Sequence, residues 1–380
     1  MIPAEVLIPD VREPQTSEVE ERISVATQWQ LMWWRFRKHK PALVSAVVVI
    51  LFYVIAAGAE FFAYADPLAS DAQRGLISPQ PLHLSGAGLS VNGITGQRDP
   101  QTFKRVYVTD PSITIPITPF AQGFAYKLFG VIPMDRHLIG VSGDNRTAET
   151  TLFLLGTDQQ GRDQFSRLVF ATRISLLIGL VSVAVSLVLG VLLGGLSGYI
   201  GGSVDTLIQR VIEILRSIPT IPLWMGLAAA VPKDWTIEQV FFAMTLIFSL
   251  FSWTELARVV RGRFLSLREE DFVMAAELVG CSRLRIIFRH LVPSFLSHII
   301  AATTLALPAI VIFETSLSFL GLGMRPPAIS WGVMLQEASN VQTAAISPWL
   351  LWPAVPVIVA ILAFNFLGDG LRDAADPYGM

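Results

Sequence analysis

The sequence predicts an all-α polytopic membrane protein with about six transmembrane helices and a folded insertion between helices 1 and 2. Three observations predict this class. Only 15% of the 380 residues are charged and 52% are hydrophobic, whereas soluble domains carry about 25% charged residues. Several uncharged runs are long enough to cross about 30 Å of hydrocarbon as helices. Arginine and lysine are concentrated on particular loops, as is typical of a chain that crosses a membrane.

The first 40 residues are predicted to form a cytoplasmic tail followed by a helix in the headgroup region. Residues 1–24 are polar and acidic. They lack the basic-then-apolar order of a signal peptide, so the first apolar run is expected to be retained. Within 25–40, three tryptophans precede a basic cluster that ends at Lys40. This pattern indicates an interfacial helix on the cytoplasmic side, with a soluble surface helix as the alternative.

Six apolar stretches are predicted to span the membrane. In the second, Gly190, Gly194 and Gly198 recur at every fourth residue, which predicts the close approach of a neighbouring helix. The third contains Pro219 and Pro222, so this helix is expected to be kinked or broken, and it either lines a pathway or simply packs. The predicted spans are 41–64, 174–200, 204–231, 237–260, 295–320 and 348–367.

The distribution of arginine and lysine predicts the orientation. Seven arginines lie between the fourth and fifth spans, from Arg258 to Arg289. The loop between the fifth and sixth spans has only Arg325, and the turn before the fourth has only Lys233. The positive-inside rule therefore places the 258–293 loop in the cytoplasm, together with both termini.

The segment between the first two spans is predicted to be a small extracytoplasmic domain. It contains alternating apolar stretches at 102–109 and 113–117, which predict short strands. Long segments are weakly governed by the charge rule, so its own arginines do not contradict the orientation. The predicted parts are a tail with an interfacial helix at 1–40, a first transmembrane helix at 41–64, an extracytoplasmic insertion at 65–155 and a core of five transmembrane helices at 156–380.

The chain carries no motif for nucleotide binding, hydrolysis or metal binding. It has no GxxxxGK[ST], HExxH or GxSxG sequence, and its five histidines are scattered. The one cysteine, Cys281, cannot form an internal disulfide. The sequence therefore predicts a transport subunit with no catalytic residue, metal or cofactor of its own and no nucleic-acid partner. The energy for active transport would come from an ion gradient or from another chain.

The loop 258–293 is predicted to contain two short helices separated by a glycine. The first is expected at 269–279, where Glu270 and Asp271 suit the positive end of the helix dipole. Gly280 suits the left-handed position that ends a helix.

The second short helix is expected at 283–291, capped by Ser282 and ended by Pro293. Such a rigid pair is suited to insertion into a groove of a partner protein. The alternative is an ordinary positive-inside loop. The residues predicted to contact the partner are small, apolar or basic: Phe272, Met274, Ala275, Ala276, Leu278, Arg283, Arg285 and Arg289.

Four stretches of the sequence resemble the inner-membrane permeases of ATP-binding-cassette importers, and most closely the C-type permease of the oligopeptide/dipeptide/nickel group. These permeases carry an E-A-A-x3-G motif and an apolar-x-Pro ending. Here Met274 stands in place of the glutamate, and Glu270, one helical turn earlier, is expected to substitute in part. The four stretches are GTDQQGRDQFSRLVFATRISLLIGL (156–180), WTELARVVRGRFLSLREEDFVMAAELVGCSRLRIIFRHLVPS (253–294), ETSLSFLGLGMRPPAISWGVML (314–335) and AFNFLGDGLRDAADP (363–377).

The resemblance implies partners and a mechanism. This chain and a second, homologous permease would form the pore as a heterodimer in the bacterial inner membrane. Two ATPases beneath it would hold ATP and Mg²⁺, and an extracytoplasmic binding protein would deliver the substrate. The loop 272–293 would sit in a cleft of one ATPase, so that closure of the ATPase pair switches the pore from inward- to outward-facing. The implied substrates are oligopeptides or dipeptides, with oligosaccharides, opines or nickel chelates as alternatives.

Three further residues are candidates for the pore or its gate. Glu314 lies in an apolar run, and acids inside membrane spans are often functional, with packing as the alternative. Pro219 marks the predicted break, and Trp331 begins a short helix after the loop 321–331, near the outer pore entrance. A secondary transporter working alone is a competing hypothesis, but it would be expected to have more spans, paired repeats and more buried acids. An intramembrane enzyme is disfavoured by the absent motifs.

Charged groups at two places are predicted to be structural rather than catalytic. The group before the second span is expected to form ion pairs at the outer surface. The group near the C-terminus is expected to cap a helix and form an interface on the inside. They are Asp158, Arg162 and Asp163, and Asp369, Arg372 and Asp373.

Overall fold

The computed structural model describes residues 27–85, 88–98, 100, 105–141 and 151–375. In this part of the chain, five helices are long and apolar enough to cross a membrane, and a bent pair of helices would make a sixth. The predicted class, a helical chain with about six spans, is therefore confirmed. The predicted tail at 1–24 lies outside the described residues.

Two helices precede the insertion. The first, α1 (Gln28–Lys38), begins at Thr27 and has basic residues in its last turn. The second, α2 (Lys40–Ala57), is the first span, and it is shorter than the predicted 41–64. It ends at Gly58, and one further helical turn, α3 (Ala59–Phe62), follows.

The insertion is built from antiparallel strands in three small groups, in which β1, β2 and β3 form one sheet, β4 pairs with β7, and β5 pairs with β6. The two strands predicted at 102–109 and 113–117 are a single strand, β3, which covers 105–116, and 102–104 lie outside the described part. The β2–β3 register shifts around Pro111, which has no N–H to donate to the ladder. The bounds are β1 Leu82–Ser85, β2 Gly88–Arg98, β3 Arg105–Pro116, β4 Thr118–Pro119, β5 Gln122–Leu128, β6 Ile132–Arg136 and β7 Ile139–Gly140.

The second span is the 37-residue helix α4 (Gln164–Ile200). It begins before the predicted start at 174. Asp163 caps it by accepting a hydrogen bond from the Ser166 N–H at 2.7 Å. The polar first turns are buried against the insertion, where the Ser166 hydroxyl accepts a hydrogen bond from the Ala65 N–H at 3.1 Å. The helix is longer than predicted because the insertion buries its polar first turns. The hydropathy of the sequence cannot show such burial.

The glycine stripe of α4 packs against α7 (Ile237–Leu267), the fourth span. A Cβ atom added at Gly194 would lie 2.5 Å from the Ala257 carbonyl oxygen, and one at Gly198 would lie 2.7 Å from a main-chain oxygen of the same helix. At Gly190 it would lie 2.9 Å from the side chain of Leu256. The predicted close approach of two helices is confirmed.

We expect Gly194→Ala to destabilise the chain by about 1–3 kcal/mol, because overpacking a tight contact shifts the backbone. The thermal unfolding midpoint of the detergent-purified chain should therefore fall. The matched control is Gly262→Ala in α7, where the added methyl group would have no neighbour within 4 Å. This control should keep or slightly raise the midpoint, because alanine favours helices over glycine. Equal midpoints for the two variants would contradict the prediction.

The third apolar stretch is broken, as predicted. It forms α5 (Gly202–Ser217) and α6 (Thr220–Ala229), which meet at an angle of 84°. Pro219 lies at the break, and Pro222 lies in the first turn of α6, where a backbone N–H would have no helical partner.

The C-terminal part of the chain packs back onto the first span. The last helix, α14 (Ala354–Ala375), contacts both the fifth span and α2. The charged group near the C-terminus lies within α14, so it does not cap the helix as predicted, because the helix continues to Ala375. Asp373 lies 3.9 Å from His39 at the start of α2. The bounds are α11 Leu296–Phe319, α12 Trp331–Glu337, α13 Val341–Ile346, a 3-10 turn at Pro348–Leu351 and α14 Ala354–Ala375.

Candidate functional site

The segment 269–294 contains the two predicted short helices. The first, α8 (Asp271–Leu278), is shorter at both ends than the predicted 269–279. Glu270 occupies its N-cap position, but the side chain makes no capping hydrogen bond. Asp271 lies in the first turn, where its negative charge suits the helix dipole.

One face of α8 is buried and the other is exposed. Val273 and Ala276 pack into the core of the chain. Ala276 therefore faces inward, and Ala275 alone of the two predicted alanines is exposed. The exposed side carries large apolar residues, which are typical of a surface that a partner covers. They are Phe272, Met274, Leu278 and Val279.

Gly280 ends this exposed helix in the predicted conformation. Its φ angle is +80°, in the left-handed region that favours glycine. Its N–H donates to the Glu277 carbonyl oxygen at 2.9 Å, and the Cys281 N–H donates to the Ala276 carbonyl oxygen at 3.1 Å. These bonds satisfy carbonyl groups at the helix end and make the turn rigid.

The second short helix follows at once. The Ser282 hydroxyl accepts a hydrogen bond from the Arg285 N–H at 3.4 Å and begins α9 (Arg283–Ile286). The predicted end of this helix at Pro293 is wrong. A π-helical turn at Ile287–Leu291 leads into α10 (Val292–Ser294). Proline is tolerated early in such a new turn, where few N–H groups have helical partners.

Three predicted basic residues lie on this second helical stretch. Arg283, Arg285 and Arg289 are exposed. Within the described part of the chain, none of the three forms an ion pair with a carboxylate of the same chain. Their positive charge is therefore available to a partner with an acidic surface.

The sequence did not reveal two polar contacts here, one that ties this segment to α4 and one that joins α7 to α5. The Tyr199 hydroxyl, near the end of α4, donates to the Glu277 carboxylate at 2.5 Å. The Arg261 guanidinium of α7 makes two 2.6 Å bonds to Asp205 of α5. Glu277 therefore links α8 to α4, whereas Glu270, which was expected to substitute in part for the motif glutamate, makes no capping hydrogen bond. The sequence signal for this contact was Tyr199, a tyrosine at the end of a long apolar helix.

Two of the three pore candidates lie together in the interior. Glu314 is fully buried and accepts hydrogen bonds from Ser318 at 3.0 Å and Ser175 at 3.2 Å. The Ser175 hydroxyl also accepts a bond from the Trp331 N–H at 3.1 Å, so α4, α11 and α12 meet at this serine. The third candidate, Pro219, is exposed at the break between α5 and α6.

The predicted outer ion-pair cluster is larger than expected. Arg162 and Arg167 both pair with the fully buried Asp158 and with Glu337 of α12. Arg167 and Glu337 were not predicted, because they are 170 residues apart in the chain. Asp163 is not part of the cluster. It accepts a hydrogen bond from the Tyr64 hydroxyl at 2.8 Å and caps α4, as described above.

Stability should depend on pH through Asp163. Burial raises the pKa of Asp163 to about 6, above the unfolded value of about 3.9. The folded chain therefore holds this proton more tightly, and its contribution to stability falls as pH rises from about 4 to about 6. Asp163→Asn, which still caps a helix, should lack this dependence, so the difference between the unfolding midpoints of the parent chain and the variant should change over this pH range. Identical pH profiles for the variant and the parent chain would contradict the prediction.

Two protein families match the sequence. Residues 186–378 match the family described as binding-protein-dependent transport system inner membrane component. Residues 27–79 match the N-terminal TM domain of oligopeptide transport permease C. The first match includes the segment 269–294, and most of the insertion lies outside both matches.

Several known proteins are similar to this chain. The oligopeptide transport system permease protein OppC of Salmonella typhimurium is 44% identical over 223 residues, which cover 58% of this chain and 71% of that protein. A putative peptide permease protein of Brucella suis is 37% identical over 223 residues, or 58% of this chain and 72% of that protein. A chain of the inward-facing MetNI methionine ABC transporter shares 20% identity at a TM-score of 0.42, over 55% of this chain and 96% of that chain.

Proposed function

Because this chain belongs to the family of binding-protein-dependent transport system inner membrane components, we propose that it forms half of the pore of an ATP-driven importer of oligopeptides or dipeptides. Members of this family are transport subunits rather than enzymes, they reside in the inner membrane, and they work with ATPase and substrate-binding partners. The peptide substrate is inferred from the two peptide permeases to which the chain is similar.

The observation that carries the proposal is the exposed, rigid pair of helices around Gly280. α8 offers an apolar ridge whose outermost member, Leu278, is 88% exposed. Such a ridge fits a helix-in-groove contact with an ATPase. The proposed contact residues at this surface are Glu270, Asp271, Phe272, Ala275, Gly280, Arg283, Arg285, Arg289 and Pro293, with the buried Ala276 supporting it from within.

Movement of this segment would reach the pore through the contacts below it. Tyr199 joins α8 to α4 through Glu277. α4 in turn packs against α7 along the glycine stripe, where the helices are too close to slide freely. We propose that closure of the ATPases rotates α8 and carries α4 and α7 with it, which switches the pore from inward- to outward-facing.

The pore candidates take different parts in this mechanism. Glu314 and Trp331 are buried and joined through Ser175, which favours a role in holding the gate region over direct contact with substrate. Pro219 lies at the exposed break between α5 and α6, which favours a position along the pathway, where a non-helical backbone at membrane depth is tolerated.

The proposed assembly contains this chain, a second homologous permease, two ATPases that hold ATP and Mg²⁺, and an extracytoplasmic binding protein. We place both termini and the segment 269–294 in the cytoplasm of a bacterium. The proposed division is a tail with an interfacial helix at 1–40, a first span at 41–64, an extracytoplasmic insertion at 65–155 and a permease core at 156–380. Cofactors lie only on the partner chains.

Uptake by reconstituted vesicles tests the proposal. Vesicles that contain both permeases and both ATPases should accumulate a labelled peptide only when the binding protein is outside and ATP is inside. A vanadate-inhibited ATPase pair serves as the control. Uptake by this chain alone, driven by an ion gradient, would instead establish a secondary transporter.

A second candidate substrate class is other bulky solutes, such as oligosaccharides, opines or nickel chelates. Substrate choice in such importers depends largely on the binding protein, so a melting-shift screen of the cognate binding protein against peptides and these solutes distinguishes the classes. Stabilisation by peptides alone supports the proposal.

A further inference from the structure

Part of the insertion is fixed directly above the end of the first span. We call residues 118–140, which contain β4 to β7, the outer lobe. Its buried His137 has Nδ1 2.8 Å from the Glu60 carbonyl oxygen, and the Leu138 N–H donates to the Phe61 carbonyl oxygen at 2.8 Å. α3, which carries both acceptors, begins two residues after α2 ends. The outer lobe is therefore held against the end of the first span.

The outer lobe presents apolar side chains that nothing in the described chain covers. Phe120 is 57% exposed, and its ring centroid lies 6.2 Å from that of Phe61. At the tip of the β5–β6 hairpin, Phe129 and Val131 are 66% and 77% exposed, and Ile132 is also exposed. Both phenylalanines have a φ of +52°, a left-handed conformation that bulky residues rarely adopt. The backbone thus holds two phenylalanine side chains outward.

The hairpin tip lies a short distance along the chain from residues that pack against α3. β5 packs against α3, and its Tyr126 is buried. Phe129 follows Tyr126 by three residues, a distance of about 10 Å along a strand. A tip this close to the end of a span is within reach of the headgroup region, whose apolar boundary admits side chains to a depth of about 5–10 Å.

The surrounding surface indicates which partner covers these residues. α2 exposes Val47, Ile50 and Val54, which face lipid if the helix spans a membrane, and the apolar surface continues past its end to Phe61 and Phe120. Lys127, exposed beside the tip, matches the negative charge of lipid phosphates. We propose that the outer lobe rests on the bilayer, with Phe120 and the tip 128–132 inserted between headgroups and acyl chains. This contact would hold the insertion at a fixed height beside the pore.

Fluorescent labelling tests the lipid contact in the intact chain. With Cys281→Ser as the background, Phe129→Cys and Val131→Cys each provide a single site for an environment-sensitive NBD label. The labelled chain is reconstituted into vesicles of phosphatidylethanolamine and phosphatidylglycerol, with and without lipids that carry a nitroxide near the headgroup end of the acyl chain. The matched control is Leu84→Cys on the edge strand β1, where the replaced leucine is 85% exposed.

Both tip labels should emit at shorter wavelength and lose intensity with the nitroxide lipid, whereas the Leu84 label should do neither. No quenching at either tip position, or equal quenching at Leu84, would overturn the proposal. A tip emission that changes only when the binding protein is added would also overturn it, because the partner would then be a protein. The readout needs neither ATP nor substrate, so its result is independent of the proposed transport function.

Discussion

Gly280→Pro is expected to abolish ATP-driven uptake while leaving the chain in the membrane. Proline fixes φ near −65°, whereas Gly280 has a φ of +80°. Proline also removes the N–H that donates to the Glu277 carbonyl oxygen at 2.9 Å. The strain costs on the order of 1–3 kcal/mol, and the lost hydrogen bond adds about 1 kcal/mol. The exposed segment can relieve this cost by rearranging, so the docking surface should be lost before the membrane core unfolds.

Co-purification of the ATPases with the membrane-extracted chain measures this effect, together with peptide uptake by vesicles. Gly280→Asn is the matched control, because asparagine tolerates the left-handed conformation and keeps the N–H. It should retain most of the bound ATPase. Because a Cβ atom at position 280 would meet nothing within 4 Å, the asparagine should fit, and a loss with proline alone would reflect the requirements of the turn. Full ATPase binding by Gly280→Pro would exclude the proposed docking surface.

Local signals explain what the sequence predicted well. Three features were predicted correctly because one or two residue types constrain the backbone at each of them. They are the turn at Gly280, the break at Pro219 and the close helix packing around Gly194. Such constraints act within a few residues, so they can be recognised without knowledge of the tertiary structure. The length and apolarity of the spans are local properties in the same sense.

The features that were missed depend on contacts between distant parts of the chain. α4 begins at Gln164, because its polar first turns are buried against the insertion. Tyr199 meets Glu277 only because α8 folds back against α4. No periodicity encodes such a pairing, so no role was predicted for Glu277, although it lies inside the motif. The cost of burying an unpaired charge shows that partners must exist, but it does not identify them.

Removing one carboxylate from the outer ion-pair cluster should be the most destabilising change in this chain. Asp158→Asn keeps the oxygen that accepts hydrogen bonds from the Gln160 and Arg162 N–H groups at 2.8 and 3.0 Å. It removes the negative charge that faces the guanidinium groups of Arg162 and Arg167, which are 9% and 1% exposed. An unbalanced buried charge costs about 3–5 kcal/mol. The unfolding midpoint should fall sharply, and uptake should fall with it, because the cluster holds α12 against α4.

The expected loss of stability comes from the unbalanced buried charge rather than from the loss of one contact. A second substitution distinguishes these two causes. Asp158→Asn combined with Arg162→Gln leaves Arg167 paired with Glu337 through two bonds of 2.9 Å. This double variant should be more stable than Asp158→Asn alone, although it lacks more contacts. Arg210→Gln breaks the exposed pair with Glu213 and should change stability by less than about 1 kcal/mol. If Asp158→Asn is no worse than Arg210→Gln, the cluster does not hold α12 in place, and the buried network around Ser175 must do so alone.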